Sequence, residues 1–165
     1  MTTTTDYLET YLQDHRAGAE MGRDLARRLA DENVGTPYES FLNTLAEEIE
    51  RDVETLDEIM QRVGVSKAIL KTAGAKVAEK LARLKPNNEL LDYSPLSRVL
   101  ELEGMRSGVH GKLGLWDALA QRAAHDDRLD PQQIARLIAR AERQLGGLRE
   151  QHRKAAADAF AAIEA

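Results

Sequence analysis

Between Ser40 and Val63 the apolar residues fall at Leu42, Leu45, Ile49, Leu56, Ile59 and Val63, a three-then-four rhythm. That is the seam of a long helix packed against other helices. One seam position breaks the rhythm. The inward slot between Ile49 and Leu56 is Asp52, with Glu48 one turn before it. A carboxylate on such a seam has to be paired, protonated or bound to a cation, because an uncompensated buried charge is strongly destabilising.

Cap and proline signals cut the rest of the chain into helices. Thr36-Pro37-Tyr38-Glu39 has the form of a capping box with proline at the first helical position, and Ser94-Pro95 and Asp130-Pro131 repeat the cap-plus-proline signal. Gly35, Gly64 and Lys85-Pro86-Asn87-Asn88 read as stops or turns. These marks predict helices over about Thr5–Asp31, Pro37–Val63, Ser66–Leu84, Pro95–Ala124 and Pro131–Ala162. No strand pattern competes with them. The first and second helices, and the last two, are joined by short loops and should form antiparallel hairpins. Gly64 to Ser94 is far longer than a hairpin turn needs. It predicts a crossover along the bundle carrying the short helix of about 66–84. The alternative is a five-helix up-and-down arrangement without a crossover.

Two hairpins joined by a long crossover are similar to the ferritin-like bundle. The words Tyr7-Leu8-x-x-Tyr11-Leu12-x-Asp14-His15, Ala46-Glu47-Glu48-Ile49-Glu50-x-Asp52 and Leu100-Glu101-Leu102-Glu103-x-Met105-x-x-Gly108-Val109-x-Gly111-Lys112-Leu113-x-Leu115-Trp116 resemble an uncharacterised set of bacterial ferritin-like proteins. The resemblance implies a single all-α domain over residues 1–165, a ferritin-like four-helix bundle with an extra crossover helix, and no established reaction. Di-metal members of that class use Glu-x-x-His pairs. Here the residues three before the four histidines are Leu12, Ser107, Arg122 and Arg149. The standard metal motif is therefore degenerate.

Counting residues from one end of the bundle places His15, Glu48, Asp52, His110 and Glu142 in one layer roughly 6 Å thick at about 1.5 Å per residue. Two readings follow. In the first, the layer is structural: His15 and Asp52 form a buried hydrogen-bonded pair, and Glu48 and Glu142 sit at the seam margin. In the second, the five side chains hold one divalent Fe, Mn or Zn ion. His152 and Glu103 form a possible second level. Gly18, Gly108, Gly111, Gly146 and Gly147 lie inside helices near the same height. They either let helices approach closely or leave room for a ligand.

Composition narrows the functional classes. Aromatic residues are 4% of the chain, so the core is aliphatic, and without cysteine there is no disulfide or thiolate zinc site. A formal net charge of −5 disfavours general nucleic-acid binding. Neither a signal peptide nor a membrane-spanning run is visible, which predicts a cytoplasmic protein. No nucleophile triad or phosphate loop is present. The short helix is basic, with Lys67, Lys71, Lys76, Lys80, Arg83 and Lys85 against one Glu79. It is either a solvated face or a docking face for an anionic partner. The leading expectation is a non-enzymatic helical-bundle protein with a degenerated metal site, for which a homo-oligomer is one expected state. The alternative is a metal-binding protein or oxidoreductase using the His and carboxylate layer.

Overall fold

The computed structural model describes residues 4–66 and 93–161. The expected crossover helix, with its basic residues Lys67 to Lys85, lies outside the described residues. Four helices account for nearly all that is described: α1 Thr4–Glu32, α2 Glu39–Arg62, α3 Pro95–Ala123 and α4 Pro131–Phe160. At about 1.5 Å per residue each is long enough to run the full height of a bundle. No described helix is long and apolar enough to cross a membrane.

The helices start where side-chain caps satisfy their free amides. Ser94 caps α3 by accepting from the Ser97 amide at 3.1 Å, and Asp130 caps α4 by accepting from the Gln132 amide at 2.8 Å. The entry to α2 differs from expectation. Its helix begins at Glu39, not Pro37: the Thr36 hydroxyl donates to the Asn33 carbonyl at 2.7 Å and accepts from the Tyr38 amide at 3.3 Å, which holds the residues before Glu39 in a turn. Gly35 sits at φ 76°, the left-handed region open to glycine. Glu39 reaches back to the Gly35 amide at 2.9 Å.

Helix α1 packs on α2 and α3, and α4 packs on α3 and α2. Pairing across these seams fixes the directions. Tyr11 meets Gly114, Leu25 lies against Gly104, and Arg28 pairs with Glu101, so α1 and α3 are antiparallel. Tyr38 bonds Asp158, Glu48 bonds Gln144 and Arg62 bonds Gln133, so α2 and α4 are antiparallel too. With α1 and α2 themselves forming a hairpin, α2 and α3 run the same way on opposite corners of the bundle. A crossover gives this sense, and it excludes an up-down-up-down order of the four described helices, in which α2 and α3 would be antiparallel.

Each hairpin turn is tied to the other hairpin. Asn33, fully buried after α1, accepts from Arg98 of α3 at 2.5 Å and donates to the Tyr93 hydroxyl at 3.1 Å. At the opposite end Asp126 accepts from Arg122 and Arg128, and Arg128 also donates to the Val63 carbonyl at 3.0 Å. The core between these ends is aliphatic, with Trp116 and Tyr38 its largest buried side chains.

Two adjacent glycines of α4 sit in opposite environments. A methyl placed on Gly147 would collide with the Phe41 ring of α2, whereas one on Gly146 would meet nothing within 4 Å. Gly147 is the point of close helix approach. Replacing Gly146 by Ala should stabilise the protein by up to about 1 kcal/mol through helix propensity alone. Gly147→Ala should instead destabilise it by about 1–3 kcal/mol through overpacking. Chemical denaturation of the two variants measures both signs.

Candidate functional site

The seam carboxylate is where the helical rhythm places it. Asp52 is 3% exposed, on the inner face of α2 between Ile49 and Leu56. Its charge is met from two other helices. Lys112 Nζ of α3 donates to Asp52 Oδ2 at 2.5 Å, and an Arg140 guanidinium nitrogen of α4 donates to Oδ1 at 2.8 Å. Lys112 donates also to Gln144 Oε1 at 2.6 Å, and Gln144 Nε2 donates in turn to Glu48 Oε2 at 2.8 Å. Lys112 and Gln144, deep in the bundle, thus link the two carboxylates of α2 into one chain of hydrogen bonds. Burial pushes the Lys112 ammonium below its ordinary value, and the neighbouring Asp52 charge pulls it back up.

The five residues expected to share a layer separate into three environments. Asp52 and Glu48 join the network just described. His15 is half-buried in α1 and meets Tyr11 edge-on, with ring centroids 4.5 Å apart, but makes no hydrogen bond among the described residues. The expected His15–Asp52 bond is therefore replaced by cationic partners. A full positive charge on a long side chain satisfies a buried carboxylate better than a neutral imidazole does. His110 and Glu142 are exposed. Their azimuth differs from the expected one. A helix turns about 100° per residue. The inward-facing Lys112 and Arg140 are two positions away, so His110 and Glu142 point outward. Among the described residues no three His, Asp or Glu side chains are placed to hold one metal ion. His152 and Glu103 do meet, at 2.9 Å, as an isolated pair at the margin between α3 and α4. Asp126, in the His125-Asp126-Asp127 cluster, is committed to the α3–α4 turn.

Lys112 and Gln144 carry a signal in the sequence. They fall on the seams Val109-x-x-Lys112-x-x-Leu115 and Ala141-x-x-Gln144-x-x-x-Leu148. The rhythm that singles out Asp52 singles them out as well. A search for histidines and carboxylates alone passes over them.

Beside the network lies a cavity of about 310 Å³ between α1, α2 and α3. Its mouth is formed by exposed small residues, among them Gly18 of α1 and Ser107, Gly108 and Gly111 of α3. Its floor is formed by the buried side chains of Ile49, Val53, Leu56, Val109 and Trp116. Asp52, Lys112 and His15 border it. The glycines expected at mid-height thus divide by role: Gly147 permits close approach, a Cβ on Gly108 would touch Met105, and Gly18 and Gly111 leave space.

Comparison of the chain with protein-family models, with curated proteins and with solved structures gives no match.

Two outcomes test this site. Asp52→Ala leaves Lys112 buried without its counter-ion and frees Arg140, and should cost about 3–5 kcal/mol. Lys112→Met leaves Asp52 still bound to Arg140 and should cost less, about 1–3 kcal/mol. The double variant Asp52→Leu/Lys112→Met should recover much of the Asp52→Ala loss. Urea denaturation of the three proteins checks that order. The second outcome concerns pH. Burial holds the His15 imidazole below its ordinary value, and nearby Asp14 opposes this more weakly. The unfolded chain takes up this proton near pH ~6.5 while the fold resists it. The contribution of His15 is therefore complete above that pH and is lost as the pH falls below it. His15→Gln should make stability less sensitive to mild acid, read as urea midpoints at neutral and mildly acidic pH.

Proposed function

We propose that this chain is a ferritin-like helical-bundle protein that acts without catalysis and without a metal in its core. One observation carries the reading. Where a metalloprotein of this plan would gather carboxylates around a cation, the carboxylate of Asp52 faces Lys112 and Arg140. The protein thus supplies its own cations, and Gln144 engages Glu48. A divalent ion would have to displace both positive side chains from Asp52 and would find His110 and Glu142 turned to solvent. The candidate set does not fit an Fe, Mn or Zn ion.

The parallel sense of α2 and α3 and their place on opposite corners support the ferritin-like plan over a four-helix up-down-up-down bundle, in which consecutive helices are antiparallel. The missing Glu-x-x-His pairs support the loss of an ancestral metal site.

The full chain, purified without chelators from metal-supplemented medium, should carry well under one equivalent of Fe, Mn or Zn by elemental analysis. Its thermal melt should not move when any of these ions is added. A stoichiometric metal whose removal lowers the melting temperature, and whose binding is lost in Asp52→Asn, would overturn the proposal.

A further inference from the structure

The cavity beside the Asp52 network has the marks of a ligand site. At about 310 Å³ it falls within the size range of small-molecule pockets, roughly 300–1,000 Å³. Its floor is apolar, so water inside it is weakly held and an apolar group gains by replacing it. Glycine widens its mouth. A Cβ on Gly18 or Gly111 would meet nothing within 4 Å, so ordinary residues would fit there, and in a helix they would be more stable than glycine.

A second, independent observation lies in the same wall. Trp116 is 1% exposed, and its indole Nε1 is buried with no hydrogen-bond partner among the described residues. A buried donor without an acceptor is uncommon and costly. An acceptor delivered into the cavity would relieve it. Charge limits the rest of the molecule. The Asp52 and Lys112 charges bordering the cavity compensate each other, and exposed Asp14 adds a carboxylate at the rim. An anion would gain no free cation there.

We propose that this cavity is a binding site for an uncharged, mainly apolar small molecule carrying one hydrogen-bond acceptor, such as an aromatic or alicyclic ketone, seated on the α2 and α3 floor with its acceptor on the Trp116 N–H. The site does not depend on whether the core binds metal.

Trp116 is the sole tryptophan of the chain, so its fluorescence reports occupancy directly. Three probes separate the contributions: 2-acetonaphthone, the acceptor-free 2-ethylnaphthalene, and the anionic 2-naphthoate. The ketone should quench Trp116 saturably with one site per chain. It should bind about fivefold tighter than the hydrocarbon, the size expected of one hydrogen bond, and naphthoate should bind weakest. Gly18→Leu and Gly111→Leu should each weaken the ketone at least about tenfold while keeping or raising the melting temperature. Gly146→Leu, outside the cavity, should bind as wild type. In Trp116→Phe, followed by calorimetry, the advantage of the ketone over the hydrocarbon should vanish. Absence of saturable quenching by the ketone would overturn the proposal. So would tighter binding of naphthoate, unchanged binding in both glycine variants, or quenching that tracks self-association of the chain through this groove.

Discussion

The buried charge of Asp52 constrains this bundle more than any single apolar contact. Hydrophobic burial is tolerant of direction, and four amphipathic helices can satisfy it in several registers and connectivities. A carboxylate 3% exposed cannot be satisfied so loosely. It requires Lys112 from α3 and Arg140 from α4 at hydrogen-bonding distance at once. Those two helices meet α2 very differently. Helix α4 packs beside it, whereas α3 sits diagonally across the bundle. The Lys112 side chain spans that diagonal where backbones do not approach. Sliding or rotating any of the three helices would leave an unpaired charge in the core. The network therefore favours one register among those that apolar packing allows, a use of buried polar groups known from coiled coils.

The two ends reinforce the same register. Asn33 ties the α1–α2 turn to the start of α3, and Arg128 ties the α3–α4 turn to the end of α2. Neither hairpin can shift along the other without breaking one of these polar contacts. Asp126 holds the second turn. Its carboxyl lies well below the usual range, chiefly because Arg128 and then Arg122 donate to it. Within this frame a cavity beside α1 can persist. The polar chain from Lys112 to Glu48 holds α2, α3 and α4 together, and the glycine-lined mouth lies where α1 passes α3.

The sequence by itself determines the all-helical class, the hairpin pairs and the burial of Asp52. These follow from local rules: a three-then-four apolar rhythm, proline and cap residues at helix starts, and chain lengths between helices. The same rhythm marks Lys112 and Gln144 as polar seam residues. It does not say which charge they meet, since partners on three helices depend on a shared azimuth. That is why the layer predicted at one height takes up Asp52 and Glu48 yet leaves His110 and Glu142 outside. Axial height accumulates at about 1.5 Å per residue and tolerates an error of two, whereas two residues of azimuth turn a side chain through about 200°. The tertiary structure alone decided that His15 and Asp52 border a cavity instead of bonding each other. It also decided that Gly147 closes a seam while Gly18 and Gly111 leave one open, and that the Trp116 N–H is buried without a partner. Each of these depends on what another helix places opposite, which no periodicity within one helix encodes.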